Sequence, residues 1–296
     1  MQVSKEEIQK KITELETQMS AVDFWSDKIR AQATIKEIAD FKEKLLGASK
    51  YDKGNAVMTI FSGAGGDDSE DFSGMLLRMY LKFFEKQGFA WKTLHENKND
   101  HNGYRNITIE IHGKNVYGML KNESGVHRLV RISPFNAKKL RHTSFSMVEI
   151  IPDFKAHGDD TISIPDKDIR LEFSRSSGPG GQNVNKRETA VRVVHIPTGI
   201  AVHVETERSQ EQNRERAMQV LKGKLFKKQE DERKSAESGM YVSKTTDIEW
   251  GNQIRSYVLH PYKMVKDHRT EVETSNVDAV LEDGEIGAFL EAEKDL

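Results

Sequence analysis

The stretch from residue 177 to residue 186, Ser-Gly-Pro-Gly-Gly-Gln-Asn-Val-Asn-Lys, constrains the fold most strongly. Its three glycines and proline predict a tight, exposed turn, because glycine is used where the backbone takes angles that a Cβ forbids or approaches another molecule closely. Gln182 lies at the tip, and Arg175, Lys186 and Arg187 flank it. An amide in place of Ser, Cys or His argues against a self-contained nucleophile. The pattern favours a group that positions water or donates a hydrogen bond in a site completed by a partner, with an ordinary flexible loop as the alternative.

Length and composition indicate a multidomain protein without a membrane segment. The 296 residues allow two or three modest domains. The 36% of hydrophobic and 31% of charged residues are typical of a soluble protein. No run approaches the roughly 20 apolar residues of a membrane helix, and the first residues lack the apolar segment of a signal peptide. We therefore expect a cytoplasmic protein that does not act on membranes.

The residue types present also limit the chemistry. The chain has no cysteine, which excludes disulfides, thiolate metal sites and a cysteine nucleophile. Its ten histidines are scattered and form no His-Glu-x-x-His motif. We therefore predict neither a metal site nor a cofactor.

Charges are segregated along the chain, although the formal net charge is only −2. One basic cluster extends from Lys121 to Arg141 and includes Arg128 and Arg131, a second covers residues 208 to 228, and residues 282 to 296 are acidic. A net charge near zero does not indicate a nucleic-acid-binding protein. Basic clusters are usually solvated faces, and contact with RNA phosphates is the alternative.

Apolar periodicity predicts a multidomain α+β fold. Its parts are an N-terminal helical hairpin (1–50), an α+β domain (51–152) completed by the C-terminal segment (247–296), and a second α+β unit (153–246) that carries the glycine-rich turn and a long helix. Helices are expected at residues 4–19, 27–46, 67–86, 209–238 and 277–281. Strands are expected at 56–61, around 91, and at 106–111, 117–120, 145–151, 169–173, 190–195, 199–205 and 254–259.

Three further segments carry polar groups suited to recognition. Ser-Gly-Ala-Gly-Gly at residues 62 to 66 leads from a strand into a helix, where free N–H groups bind an anion or a base edge, or are simply capped. Ser133-Pro134-Phe135 combines a small hydroxyl, a rigid backbone and a ring, which suits an unpaired base. His142 and Thr143 add a stacking ring and a hydroxyl. An ordinary turn and a part-buried core or surface histidine are the alternatives.

Taken together and in this order, the motifs closely resemble those of bacterial class I peptide chain release factors. The resemblance extends from about residue 56 to the end and includes Trp-Gly-Asn-Gln-Ile-Arg-Ser-Tyr-Val at residues 250 to 258. Ser-Pro-Phe is typical of the release factor 2 type, which reads UGA and UAA. The resemblance implies a factor that triggers hydrolysis of the peptidyl-tRNA ester only within the ribosomal peptidyl transferase centre, and so not a stand-alone enzyme.

The resemblance also implies a role for each matching residue. Gln182 would position the attacking water, its N–H would stabilise developing charge, and Gly180 and Gly181 would allow the backbone shape. N5-methylation of Gln182 by a glutamine methyltransferase is expected as well. Codon contacts would come from Gly65, Asp68, Ser133, Pro134, Phe135, His142 and Thr143. Trp250 would lie in a switch loop, and Arg128 and Arg131 would contact rRNA.

The expected partners are the ribosome with its rRNA, the mRNA stop codon and the P-site peptidyl-tRNA, together with a recycling GTPase release factor, and the protein is expected to be a monomer.

Three departures from the family pattern matter: Asp68 replaces an expected Glu, Pro179 and Asn183 replace the common Ala and His, and the N-terminal helical domain is short.

Two other functions are considered. A codon-independent rescue hydrolase shares Gly-Gly-Gln, but such proteins typically omit the reading domain and end in a basic tail. A non-hydrolytic ribosome-binding regulator has no use for an intact Gly-Gly-Gln.

Overall fold

The computed structural model describes residues 5–19, 31, 34–35, 38, 41, 51–154, 164–176, 187–237 and 251–296. The chain forms two compact units, residues 1–52 and 53–296. In the first unit, helix α1 (Lys5–Met19) buries Ile12 against Ile38, and Leu15 and Met19 pack around them. The apolar stripe predicted for this helix therefore faces a core. Residues 31, 34, 35, 38 and 41 are also helical; the rest of the predicted second helix lies outside the described residues.

The second unit contains two sheets. Their strands are β1 (Ala56–Ser62), β2 (Ala90–Lys98), β3 (Tyr104–His112), β4 (Gly125–Ile132), β5 (Arg141–Pro152), β6 (Ile169–Ser174), β7 (Ala190–His195), β8 (Ala201–Val204), β9 (Gln253–Val258), β10 (Met264–Asp267) and β11 (Glu273–Thr274). The eight-stranded sheet has the order β11-β10-β9-β4-β5-β1-β3-β2, and the three-stranded sheet has the order β6-β7-β8. The described helices of this unit are α2 (Asp67–Gln87), α3 (Val116–Leu120), α4 (Gln210–Glu237), α5 (Val277–Leu281) and α6 (Gly287–Ala292). The mixture confirms the predicted α+β class.

Helix α2 covers the large sheet. Its first turn carries Asp67, Asp68 and Glu70, whose negative charges interact favourably with the positive end of the helix dipole. It ends at Gly88, whose φ of 71° is left-handed and whose N–H bonds to the Glu85 carbonyl at 3.2 Å. None of the described helices combines the length and apolar character needed to cross a membrane.

Two stretches near residue 120 differ from the expectation. The strand predicted at residues 117 to 120 is wrong, because Val116–Leu120 forms helix α3. Its buried residues Val116, Tyr117 and Leu120 follow helical spacing, but an apolar run of four residues does not separate helix from strand. Residues 125 to 132 lie in the first basic cluster and were not predicted as a strand, but they form β4, which pairs with β5 and in parallel with β9. Strand β4 thereby ties the C-terminal strands to the rest of the sheet.

The small sheet and α4 share one core with the large sheet. Val191, Val193, Val202 and Val204 pack against Ala217, Val220, Leu221 and Leu225 of α4, and Val57, Leu94 and Ile151 of the large sheet belong to the same cluster. Arg216 of α4 also donates a 2.7 Å hydrogen bond to Asp153 after β5. These contacts hold the strands on either side of residues 177 to 186 against the large sheet.

His127 belongs to a cluster of buried polar side chains beneath α2 and is itself 0% exposed. Its Nε2 lies 3.4 Å from the Glu123 carbonyl and its Nδ1 lies 3.2 Å from the Tyr257 hydroxyl. Because a carbonyl only accepts, Nε2 carries the proton and Nδ1 accepts from Tyr257. Burial lowers the pKa of His127 to about 4, the Glu123 charge opposes this shift, and the Arg255 charge adds to it.

This shift predicts a loss of stability in acid. The folded pKa of His127 lies below its unfolded value of 6.5, so its contribution is present above pH 6.5 and is lost as the pH falls through about 4. The shift corresponds to on the order of 3 kcal/mol of unfolding free energy. Urea unfolding between pH 7 and pH 4 should therefore show a smaller loss for His127→Gln than for wild type or for a His260→Gln control at an exposed site. Equal losses in all three proteins would contradict the assignment.

Candidate functional site

The turn between β1 and α2 is shaped by glycine and held by backbone bonds. Gly65 and Gly66 have φ of 139° and 60°, a region that disfavours side chains. A Cβ on Gly65 would lie 3.2 Å from the Ser69 Cβ. The Ser69 hydroxyl bonds to the Gly63 and Gly66 carbonyls at 3.0 and 2.8 Å, and the Gly63 N–H bonds to the Phe145 carbonyl of β5 at 2.8 Å. The helix therefore begins at a fixed point on the sheet edge.

The loop of residues 133–140 between β4 and β5 lies beside this turn. The Ser133 N–H bonds to the Leu140 carbonyl at 3.0 Å, which closes the loop at its base. The Asn136 side chain accepts from the Lys138 N–H at 2.8 Å, and Lys139 has a φ of 51°. Phe135 and Leu140 are 41% and 52% exposed. The closed loop therefore presents apolar groups to the outside.

Asp68 joins the turn, the loop and β5 through its carboxylate. Oδ2 accepts from the Ser133 hydroxyl at 2.7 Å and lies 2.8 Å from the His142 Nδ1. Oδ1 is 3.3 Å from the guanidinium of Arg131, which also contacts Asp71 at 2.6 Å. Three donors from two strands and their connecting loop thus converge on one carboxylate of the first turn of α2. We call Asp68, Arg131, Ser133 and His142 the Asp68 cluster.

The electrostatics of the Asp68 cluster favour a charged carboxylate. Burial alone would raise the pKa of Asp68, but hydrogen bonds from Ser133 and His142 and the charge of Arg131 outweigh burial and lower it. Because the carboxylate only accepts, the His142 Nδ1 donates to it, and its Nε2 accepts from the Asn136 amide at 3.1 Å. The Ser133 hydroxyl also accepts from the Phe135 N–H at 3.2 Å. Both His142 nitrogens and the Ser133 hydroxyl are therefore satisfied within the protein.

The predicted codon-contacting residues lie together at this edge of the sheet, although their exposure differs. Gly65, Pro134, Phe135 and Thr143 are exposed, and the His142 side chain is 39% exposed. Ser133 and Asp68 are only 2% and 5% exposed. The exposed members form a surface, and the buried pair holds it in shape.

Sequence reasoning assigned Arg131 to rRNA contact and missed its internal partners. The Arg131 side chain is 14% exposed and pairs with Asp68 and Asp71. The spacing of those two acids, i and i+3 on one helix, was a usable signal, because such residues share a face. The 5.7 Å approach of the His101 and Phe135 rings had no local signal, since they belong to separate loops. Arg128, also assigned to rRNA, is partly buried on β4 opposite Phe145 of β5.

The predicted catalytic residues Gly180, Gly181 and Gln182 and the predicted switch residue Trp250 lie outside the described residues. The strands that lead into and out of residues 177–186 are described. β6 pairs with β7 so that Ser174 lies opposite Ala190, and the Ser176 and Thr189 hydroxyls are 2.9 Å apart. The two ends of the segment are therefore held close together on the small sheet.

The chain matches two family models in tandem. Residues 39–148 match the PCRF domain, and residues 158–269 match the RF-1 domain. The first match contains the Asp68 cluster, and the second contains the glycine-rich segment. This pair of domains defines the class of peptide chain release factors.

Known proteins place the chain within that class. It is 43% identical to peptide chain release factor 2 of Thermosipho africanus, over 96% of this chain and 89% of that protein. It is 52% identical to peptide chain release factor 2 of Thermotoga petrophila, over 82% of this chain. The solved structure of RF2 of Thermus thermophilus matches with a TM-score of 0.71 and 38% identity, over 96% of this chain and 80% of that chain.

The chain therefore belongs to the peptide chain release factor 2 family. It covers 65% of the length of the Thermotoga petrophila relative.

Proposed function

We propose that this protein directs translation termination at UGA and UAA codons, by reading the codon in the ribosomal A site and triggering hydrolysis of the peptidyl-tRNA ester. The observation that carries the proposal is the Asp68 cluster, which holds Ser133, His142 and the start of α2 at one edge of the sheet. Membership of the release factor 2 family supports the same function. The ribosome, the stop codon and the P-site peptidyl-tRNA are the partners in this proposal.

Codon reading is assigned to the exposed edge around the cluster. The ring of His142 stacks on a base, and Thr143 offers a hydroxyl to the third base. Gly65 and the backbone at the start of α2 meet the first uridine. Ser133, Pro134 and Phe135 read the second base. In the free protein the Ser133 hydroxyl donates to Asp68 and accepts from Phe135, so a direct bond to a base requires one of these bonds to be exchanged.

Hydrolysis is assigned to the Gly180-Gly181-Gln182 tip. In this proposal Gln182 positions the water, and its backbone N–H stabilises charge that develops on the ester oxygen. The two glycines permit a backbone shape that a Cβ would obstruct. The ribosome supplies the rest of the site. N5-methylation of Gln182 by a glutamine methyltransferase, switching through Trp250 and recycling by a GTPase belong to the same proposal.

Replacing Gln182 with alanine is expected to slow peptide release about 10²- to 10³-fold at saturating factor, as removal of an oriented hydrogen-bonding group does in other hydrolytic sites. Binding to stop-codon ribosomes should stay within a few-fold of wild type, because the codon contacts are untouched. Release of labelled peptide from ribosomes stalled on UAA, UGA, UAG and a sense codon measures the release rate, and its dependence on factor concentration measures binding. Gln229→Ala, an exposed glutamine on α4, is the matched control and should release like wild type.

The same assay separates the competing functions. Wild-type release on UAA and UGA alone supports the proposal. Equal release on all four codons would identify a codon-independent rescue hydrolase. No release on any codon would indicate a non-hydrolytic regulator, and unchanged release by Gln182→Ala would overturn the assignment of the tip.

A further inference from the structure

His95, His203 and Glu205 converge where the two sheets of the second unit meet. One potential ligand atom from each lies within 4.8 Å of the others. The His95 Nδ1 is 3.0 Å from Glu205 Oε1, and the His203 Nε2 is 3.8 Å from Glu205 Oε2. The side chains of His95, His203 and Glu205 are 19%, 25% and 11% exposed, so the cluster is mostly buried but still accessible to solvent. Sequence reasoning found no metal site because His95 lies more than 100 positions from His203 and Glu205, and only the fold brings it to them.

The backbone explains the convergence. The register of β2 against β3 shifts between Thr93 and His95, and such a bulge redirects the side chains that follow it. Leu94 at this shift enters the shared core, while His95 points to the cluster. On β8, Val202 and Val204 face the core, so His203 and Glu205 share the opposite face.

Hydrogen bonds already hold the two segments together at this point. The Glu205 N–H contacts the Leu94 carbonyl at 3.4 Å, and the Thr206 hydroxyl lies 3.0 and 2.8 Å from the carbonyls of Thr93 and Leu94. The three candidate ligands are therefore carried on backbone whose separation is set before any ion binds. Preset ligands lose less conformational freedom on binding than ligands on free loops.

The donor set is that of a transition-metal site. Two imidazoles and one carboxylate are the protein ligands of many zinc sites, with a fourth position left for water. Tetrahedral ligands at 2.0–2.2 Å from zinc lie about 3.3–3.5 Å apart. His95 lies 3.0 Å from one Glu205 oxygen and His203 lies 3.8 Å from the other, so each imidazole is within about half an ångström of that spacing from one carboxylate oxygen. The cluster opens into a cleft of about 750 Å³, which gives an ion an entry path. Magnesium and calcium prefer all-oxygen sites and fit this set poorly.

Several basic side chains near the cluster pair with acidic residues. Lys98, which lines the cleft together with Arg175, pairs with Glu96 at 3.1 Å. Arg192 and Lys224 line an adjoining cavity that also contains His95 and His203, and they pair with Glu172 and Glu149. Glu205 is the only carboxylate among the three residues, and in the proposed site it supplies a negative charge to an ion between the two imidazoles.

We propose that His95, His203 and Glu205 bind one zinc ion, or a similar divalent transition-metal ion, that links β2 of the large sheet to the end of β8 of the small sheet. Water from the cleft completes the coordination. The ion adds a cross-link between the sheet that carries the Asp68 cluster and the sheet that carries residues 177–186, and so stabilises their packing. The test measures metal binding by the free protein, so its outcome does not depend on the proposed function.

Metal titration of the full, tag-free chain tests the proposal after chelator treatment and desalting. Calorimetry with zinc chloride should show one ion per chain with a dissociation constant below about 10 µM. Cobalt chloride should produce the intense visible absorption of a four-coordinate ion, and one equivalent of zinc should remove it. Affinity should fall as the pH is lowered, because metal ligands bind in their deprotonated form. Magnesium in excess should not compete.

Variants locate the ion. His95→Gln, His203→Gln and Glu205→Gln should each weaken zinc binding at least 10-fold, whereas His260→Gln, at an exposed histidine outside the cluster, should bind like wild type. Zinc should raise the melting temperature of wild type and of the control but not that of the three ligand variants. The proposal is overturned if wild type shows no saturable zinc binding, if bound cobalt shows only the weak absorption of an octahedral ion, or if the ligand variants bind as tightly as wild type. The cobalt spectrum keeps the test valid even if a variant does not fold.

Discussion

Replacing Arg255 with methionine is expected to lower the free energy of unfolding by about 3–5 kcal/mol, as removal of one partner from a buried ion cluster generally does. Arg255 is 0% exposed and has three acidic neighbours. Its guanidinium contacts Glu123 at 2.5 Å, Asp267 at 3.3 Å and Glu293. It also lies 4.6 Å from the centre of the Phe289 ring. Methionine keeps an unbranched side chain, although a shorter one, and leaves these acids without their central cation.

The protonation states show why the loss is large. Burial raises the pKa of Glu293 and the Glu123 charge adds to this, which favours the protonated form of Glu293. Burial opposes ionisation of Glu123 too, but the charge of Arg255 lowers the pKa of Glu123 to about 2. Two charged carboxylates, Glu123 and Asp267, therefore face two guanidinium groups, Arg255 and Arg269. Removing Arg255 leaves one buried negative charge in excess.

Urea unfolding at pH 7, followed by circular dichroism, measures this effect. Lys263→Met removes an exposed ion pair with Asp278 and should change stability by less than about 1 kcal/mol. Adding Glu123→Gln to Arg255→Met should recover part of the loss, because it removes the unpaired charge. An Arg255→Met protein as stable as the Lys263→Met control would show that the buried cluster is not needed for stability.

Replacing Asp68 with alanine is expected to reduce release on UAA and UGA by roughly 30-fold or more. The change leaves the Ser133 hydroxyl, the His142 Nδ1 and one contact of Arg131 without their acceptor. Leaving a single buried donor unpaired costs about 1–3 kcal/mol, and 2 kcal/mol of binding energy corresponds to about 30-fold. The loss should appear as weaker binding to stop-codon ribosomes, because the loop of residues 133–140 and His142 lose their anchor.

Two further variants sharpen this experiment. Asp67→Ala removes the exposed acid next to Asp68 in the same helical turn and should release like wild type. Asp68→Glu restores the residue expected from the family pattern and keeps an acceptor, so its loss should be smaller than that of Asp68→Ala. If Asp68→Ala matches Asp67→Ala in binding and release, the Asp68 cluster does not support codon reading.

Long and periodic elements could be predicted from the sequence. Residues 67–86 and 209–238 were predicted as helices, and the structure has Asp67–Gln87 and Gln210–Glu237. Acidic residues and Gly88 mark the ends of the first helix, and Ser209 precedes the second, so no distant contact is needed. The short run at 117–120 was predicted wrongly, and β10 and β11 were not predicted at all, because elements of two to five residues contain too little periodicity.

The sequence by itself determined the family and the candidate site residues, because Gly-Gly-Gln, Ser-Pro-Phe and the pair His142-Thr143 are local features that need no knowledge of contacts. Only the tertiary structure decided what Asp68, Arg255 and His95 touch. Asp68 meets Ser133 across 65 positions, Arg255 meets Glu123 across 132, and His95 meets Glu205 across 110. Hydrogen bonds and ion pairs depend on distances of a few ångströms in space, and sheet pairing sets those distances independently of separation along the chain.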